Sequence, residues 1–335
     1  MTGFKEYFRS HLRSNLKAII YILAAVLIIT FLVGNRAQPT SEYDYTTHET
    51  LPDYYSTLYI PVTFMCILAY VLPVMEFSFF KKRINLDCAY ALPISRRAMG
   101  LVHYLSGLAI LLGVFSVSYL LNFISLLCRA EYFYFAPMIG HYFLCLLLGA
   151  ALYSFMAFVF NQANTRGDGI WFMVLYSLAL MLGIAALEVH IDVGILNSYN
   201  CIPWGVIDTL TTNVQYLVEK EIYASGPYFA EAENIFWFIF WVVVGIASAA
   251  GLIISFGKRR MEKTEEISDS YFGFRVLIPW FAVTGMITFR SADIFIFWVI
   301  IELIALLGYT IYRRGFHYKL GDILVLVGLM LFIFI

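Results

Sequence analysis

The feature that most restricts the fold of this chain is a succession of long apolar segments. A helix needs about 20 apolar residues to cross the hydrocarbon core of a bilayer. Charged residues make up only 13% of the sequence, about half of the roughly 25% typical of soluble domains, so they could not cover a water-facing surface. We therefore predict an all-α, polytopic membrane helical bundle. Its six core spans are 18–33, 59–80, 101–127, 141–160, 170–186 and 235–256, and two or three additional spans lie within 276–289, 294–312 and 320–335.

The distribution of basic residues predicts the orientation. With nine crossings and a cytoplasmic N-terminus, only four of the 22 lysines and arginines lie on the outer side: Arg36, Arg129, Lys220 and Arg290. The cytoplasmic segments of membrane proteins carry this kind of excess positive charge. Because 276–289 and 320–335 are short, eight crossings remain an alternative to nine.

Two segments outside the spans have helical periodicity. Residues 1–17 place apolar side chains on one face and Lys5, Arg9, Arg13 and Lys17 on another, which predicts an amphipathic helix on the inner leaflet. Residues 205–221, within an outer insertion at 189–233, carry an apolar stripe that predicts a second amphipathic helix.

The cytoplasmic segment 81–100, between the second and third spans, has helix signals of its own. Asp87 is a suitable N-cap for a short helix that Pro93 must end. Ser95 then caps a helix that begins at Arg96 and continues into the third span. From these residues alone, a plain helix–turn–helix hairpin with basic anchors explains the segment equally well.

Several classes of site are absent from the sequence. No Walker A pattern for ATP phosphates occurs, and the cysteines and histidines lack metal-ligand spacing, so neither a catalytic residue nor a metal site is predicted. Glu302 is the clear carboxylate in the middle of a predicted span, whereas Glu76 and Glu188 are expected to reach water at span ends. An intramembrane charge indicates function by default. An ion-coupled secondary carrier that uses Glu302 is therefore an alternative function.

The stretch 86–97, LDCAYALPISRR, resembles the leucine-proline-x-serine-arginine element in the permease subunits of type-2 ATP-binding-cassette exporters. The basic N-terminal helix, the six spans and the helical insertion before the sixth span are also similar to those permeases. The resemblance covers residues 1–256 and implies an elbow helix at 1–17 and a six-span permease core at 18–256. The charged cytoplasmic linker and extra spans at 257–335 depart from the family pattern, and we expect the native chain to continue beyond Ile335.

The resemblance implies a division of labour in a bacterial cytoplasmic (plasma) membrane. Two separate ATPase subunits would bind ATP and Mg, so this chain would be neither an enzyme by itself nor a cofactor carrier. A second permease, the same or related, would complete the pathway within the lipid bilayer, and no nucleic acid is involved. The exported substrate would be an amphipathic peptide or a hydrophobic compound.

The resemblance also assigns roles to individual residues. Phe64, Met65 and Met75 of the second span are the expected substrate-path residues. A non-transporting sensory or scaffold subunit is a third interpretation, since it would bind the same ATPase. The residues expected to contact the ATPase are Asp87, Tyr90, Leu92, Pro93, Ser95, Arg96 and Arg97.

Overall fold

The computed structural model of the chain describes residues 2–36, 42–43, 50–51, 54–91, 94–129, 135–190, 202–223, 232–258, 264–266, 268, 270, 272–290 and 295–333. A 3-10 turn, Ser78–Lys81, lies between α2 and α3, and two short strands, β1 (Glu42–Tyr43) and β2 (Thr50–Leu51), pair antiparallel. The helices are α1 (Thr2–Arg36), α2 (Tyr54–Phe77), α3 (Arg83–Tyr90), α4 (Arg96–Arg129), α5 (Phe135–Gln162), α6 (Arg166–His190), α7 (Pro203–Tyr223), α8 (Ala232–Lys258), α9 (Phe274–Arg290), α10 (Phe295–Arg313) and α11 (Leu320–Ile333).

Seven of the described helices are long and apolar enough to cross a membrane: α1, α2, α4, α5, α6, α8 and α10. The predicted helical character is confirmed, and these helices agree with a multi-pass membrane protein. Each of the six predicted core spans coincides with one of them. In the C-terminal part, the apolar stretch of α9 is shorter and α11 has 14 residues. The choice between eight and nine crossings stays a prediction.

Helix α5 occupies the centre of the bundle and contacts α2, α4, α6, α7 and α8. Small residues allow these close approaches, because two helix backbones can come near each other where no bulky side chain lies between them. Gly149 lies against Met65 of α2, and Gly245 of α8 lies against the backbone of Ala151. The glycines of the fourth and sixth spans therefore serve helix packing.

Helix α1 is continuous over 35 residues, about 52 Å at a rise of 1.5 Å per residue. The predicted interfacial helix 1–17 is thus not separated from the first span by a break. Its Tyr7 and His11 side chains contact His103 of α4. One face of this segment consequently packs on protein.

Helix α7 forms where the outer amphipathic helix is predicted. Its apolar stripe, including Ile207, Leu210 and Val214, is buried against the bundle, where α7 contacts α2, α5 and α8. The Trp204 ring meets Tyr59 of α2 edge-on at 5.8 Å. The stripe therefore closes the end of the helical bundle at which α2 begins.

The C-terminal helices attach to the core through α6. Trp280 of α9 donates a hydrogen bond to the Ala179 carbonyl at 3.2 Å, and α10 packs on α9. Helix α11 is fixed to α10 by a bidentate pair in which Arg313 donates to Asp322 at 2.8 and 3.0 Å. The extra helices thus extend one side of the bundle.

Candidate functional site

One end of the bundle collects basic residues, and we call it the basic end; it includes Lys81, Arg83, Arg97 and Arg166. Arg166 donates to the Ser78 carbonyl at 3.1 Å, which joins the start of α6 to the turn after α2. The Arg83 amide donates to Glu265 of the α8–α9 linker at 3.2 Å. The segment 81–100 is therefore tied to the α8–α9 linker, and the turn before it is tied to α6.

The start of α3 corrects one sequence prediction. Asp87 was the expected N-cap, but α3 begins at Arg83, so Asp87 lies inside the helix. The reason is the 3-10 turn, after which Lys82 has extended backbone and its carbonyl accepts hydrogen bonds from the amides of Asn85 and Leu86. The Leu86 side chain is fully buried and anchors the short helix.

The predicted cap at Ser95 is confirmed. Its Oγ accepts a hydrogen bond from the Ala98 amide at 3.3 Å, and α4 begins at Arg96. Ser95, Arg96 and Arg97 are exposed. Leu92 and Pro93 lie outside the described residues, and so do the side chains of Asp87 and Tyr90, although α3 includes their backbone.

The start of α3 places an exposed apolar side chain beside a charge. Ile84 is 77% exposed and lies between the exposed Arg83 and the half-buried Asn85. Folding of this eight-residue helix leaves the Ile84 side chain exposed. The side chain therefore adds little to the stability of the fold, because an apolar side chain stabilises a protein when it is buried. A basic rim around an apolar side chain is suited to binding another protein.

Beneath this segment lies a buried polar cluster, which we call the His–Glu–His cluster: His11, Glu76 and His103. Glu76 Oε2 lies 2.7 Å from His11 Nε2 and 3.1 Å from His103 Nδ1. The prediction that Glu76 reaches water is wrong, because the residue is only 4% exposed. The end of α2 is covered by α1 and α4, which a reading of α2 alone does not show.

The cluster was not predicted from the sequence, because its members come from three helices. The histidines are 92 positions apart in the numbering, so no local motif joins them. One signal was present: Tyr7, His11 and Asn15 follow each other at intervals of four, which places three polar groups on one face of α1. Such a stripe in a helix that enters a membrane indicates a buried polar partner.

Lys81 forms a second buried polar contact at the basic end. It is 2% exposed, and its Nζ donates to the Phe160 carbonyl at 2.9 Å and also contacts the carbonyl of Ala163. The Phe160 carbonyl lies in the last turn of α5, and Ala163 follows the final residue of that helix, Gln162. The last carbonyls of a helix have no partner within the helix. Lys81 thereby caps the central helix and fixes the turn that leads into α3.

The other predicted site residues are spread over the bundle. Phe64 is partly buried, Met65 is packed in the core and Met75 is half-exposed. Glu302 of α10 has a buried Oε2 without a hydrogen-bond partner among the described atoms. The Nε1 of Trp298, one turn earlier in α10, is also buried without such a partner. The structure brings none of these four predicted residues into the His–Glu–His cluster.

An aromatic groove lies between α4 and α5. Its volume is about 340 Å³, and Ser116, Tyr119, Phe123 and Tyr142 are among its lining residues. Ser116 and Tyr142 join their hydroxyl groups at 2.8 Å. The groove therefore offers aromatic surface with a few hydroxyl groups, which suits an amphiphilic molecule.

The comparisons with known proteins give no assignment: no family model, no curated protein and no solved structure matches this chain.

Proposed function

We propose that this chain is the membrane-spanning subunit of an ATP-driven exporter. It forms the translocation pathway with a second permease, the same or related, in a bacterial plasma membrane with the N-terminus in the cytoplasm. Two separate ATP-binding-cassette ATPases hold ATP and Mg. The substrate is an amphipathic peptide or a hydrophobic compound.

The observation that carries this proposal is the position of α3. The helix is short, exposes Ile84 and lies at the basic end between two spans, as an ATPase-coupling helix would. It is not loosely attached, because Lys81 fixes its start to α5 and Ser95 begins α4 directly after it. Force applied to α3 would consequently reach three spans.

The length of α4 supports the same role. Its 34 residues extend about 51 Å at 1.5 Å per residue, which exceeds a hydrocarbon core of about 30 Å. A helix of this length projects beyond the core and moves as a rigid rod. Its buried His103 and Ser106 join it to Glu76 of α2, so the two spans that flank α3 move together.

The groove between α4 and α5 supports the proposed substrate class. Its aromatic lining includes Tyr142, which stacks on Phe115 with 6° between the ring planes. Stacked rings present a rigid apolar wall, and aromatic surfaces of this kind favour hydrophobic and amphipathic ligands. Since the groove borders α4, movement of that helix would change its shape.

We expect substitution of Ile84 by aspartate to remove binding of the ATPase. The change places a carboxylate in the centre of the proposed contact, where a truncated hot spot costs about 2 kcal/mol or more. Co-purification with the ATP-binding-cassette ATPase encoded in a neighbouring reading frame should fall about 30-fold. The double variant Asp87→Lys/Pro93→Gly should have the same effect.

Phe316→Asp is the matched control, because Phe316 is also an exposed apolar residue, at 80%, but lies in the turn after α10. It should bind the ATPase as well as the wild type does. Equal binding by the Ile84 variant, or a genome without any such ATPase gene, would contradict the proposal.

A second function is favoured by Glu302, whose buried Oε2 lacks a hydrogen-bond partner among the described atoms. In an ion-coupled carrier, such a carboxylate would bind the coupling ion. For an ATP-driven exporter, Glu302→Ala should leave transport in proteoliposomes within about twofold of wild type, since removal of a buried carboxylate in α10 leaves α3, α4 and the groove between α4 and α5 intact. Transport that needs no ATPase and disappears in Glu302→Ala would establish the carrier instead.

A further inference from the structure

Three ligand-type atoms converge in the His–Glu–His cluster. His11 Nε2 and His103 Nδ1 both approach the same carboxylate oxygen, Oε2 of Glu76, at 2.7 and 3.1 Å. All three atoms lie within 4.8 Å of one another. In the part of the chain that the structure describes, no other group of three His, Cys, Asp or Glu side chains has this spacing.

We propose that His11, Glu76 and His103 bind a zinc ion that fixes the N-terminal part of α1 to α2 and α4. Imidazole nitrogen and carboxylate oxygen are ligands that zinc commonly takes, and two histidines with one carboxylate leave a fourth position open. Ligands about 2.0–2.1 Å from a tetrahedral zinc are about 3.3 Å apart. The separations of Glu76 Oε2 from His11 Nε2 and His103 Nδ1, 2.7 and 3.1 Å, would widen by about 0.6 and 0.2 Å to reach that value.

The neighbours of the three ligands hold them in orientations that suit a metal. The Tyr7 hydroxyl lies 3.1 Å from His103 Nε2, which leaves His103 Nδ1 directed at the centre. Ser106 donates to the second carboxylate oxygen, Glu76 Oε1, at 3.2 Å. Histidine ligands of metals regularly bond a partner through the other ring nitrogen, and these partners fix the tautomer.

A fourth polar group borders the centre. The Asn15 side-chain amide lies 3.1 Å from His11 Nε2, one turn further along α1. His11 Nε2 has one in-plane position for a hydrogen bond. Because Glu76 Oε2 also lies 2.7 Å from this nitrogen, the Asn15 amide and the Glu76 carboxylate compete for that position. A cation in the centre resolves this competition, because the nitrogen then directs its lone pair to the metal and the amide can face the open coordination position.

Aromatic rings cover one side of the cluster. The Phe80 ring meets His103 edge-on at 4.7 Å, and Phe77 lies beyond at 6.4 Å. A close positive charge stabilises a buried carboxylate, and a divalent ion would supply one here. His11 has 14% of its side chain exposed, so an ion can enter from the side of α1.

The inference does not depend on the exporter proposal, because metal binding is measured without an ATPase. The protein is purified with a tag that contains no histidine, stripped with a chelator and titrated with Co²⁺ and Zn²⁺. We expect one zinc per chain by elemental analysis and visible cobalt bands of a low-coordinate N/O site. Zinc should also raise the melting temperature of the wild type.

His11→Ala is the decisive variant because His11 lies at the edge of the cluster and its loss leaves α2 and α4 in contact. Zinc affinity should fall about 100-fold or more, since outer-shell changes alone cost about 10–100-fold. Tyr7→Phe should lower the zinc affinity by about 10–100-fold, as expected for an outer-shell change. His103→Ala should also lose zinc binding. His317→Ala, which removes an exposed histidine in the turn after α10, should bind as the wild type does.

Two results would overturn the proposal. One is a folded wild type that takes up no zinc after chelator treatment, which would leave a hydrogen-bonded cluster without a metal. The other is a His11→Ala protein that melts as a folded protein and binds zinc as tightly as His317→Ala.

Discussion

Replacing Lys81 by alanine is expected to lower the free energy of unfolding by about 3–6 kcal/mol, because two hydrogen bonds to a charged donor, each worth about 1.5–3 kcal/mol, are lost together. The ammonium group is buried and donates to the carbonyl oxygens of Phe160 and Ala163. Without it, the Phe160 carbonyl keeps its 3.3 Å hydrogen bond from the Ala163 amide but loses the charged donor, and both residues stay buried. A loss of this size should be visible as a reduced yield and a lower melting temperature in detergent.

Two further variants separate the causes of that loss. Lys81→Met keeps an apolar stem over the Phe160 ring, which lies 5.0 Å from Nζ, but removes the donor. It should be nearly as unstable as Lys81→Ala if the hydrogen bonds dominate. Lys82→Ala removes an adjacent exposed lysine and should change stability by no more than about 0.5 kcal/mol. Equal melting temperatures for Lys81→Ala and Lys82→Ala would contradict the capping role.

Local signals in the sequence predicted the helices well. Apolar length located six of the seven described helices that are long and apolar enough to cross a membrane, because a spanning helix must match the hydrocarbon thickness. The stripe through Ile207 and Leu210 predicted α7, and the side chain of Ser95 predicted the start of α4. Each of these features depends on residues within one or two turns of each other.

The contacts between helices could not be predicted in the same way. His11 and His103 occupy separate helices, and periodicity assigns each a face without assigning the face a partner. Glu76 was expected in water because it lies near a span end, yet the N-terminal part of α1 and the start of α4 cover it. The start of α3 was misplaced for a similar reason, since a 3-10 turn and the burial of Leu86 decide it rather than an Asp87 cap.

The burial of Lys81 shows the limit of charge counting. Its position in a basic segment correctly placed it at the end of a span, together with Lys82 and Arg83. Counting treats these three residues alike, whereas the structure exposes two and buries one. The difference arises from α5, whose terminal carbonyls lie beside Lys81 and need a donor.

Gly245→Val is expected to have the second large effect on stability, because α8 packs closely on α5 at this position. A Cβ at Gly245 would lie 2.6 Å from both Cα and Cβ of Ala151, closer than side chains in proteins come. Neither atom can rotate away, because one belongs to the backbone of α5 and the other is attached directly to it. The two helices must separate, and overpacking of this kind costs about 1–3 kcal/mol or more.

Gly113→Val provides the matched control for that substitution. Gly113 lies inside α4 with no heavy atom within 4 Å of an added Cβ, so valine meets open space there. The same residue change in the same kind of helix should leave the melting temperature nearly unchanged, while Gly245→Val lowers it and Gly245→Ala lowers it less. Equal melting temperatures for the valine variants at 245 and 113 would show that α8 does not depend on this contact. Because α8 also packs Phe256 against Gly100 at the start of α4, a shift of α8 would disturb the basic end as well, and the Gly245 variants should weaken ATPase binding in the order of their melting temperatures.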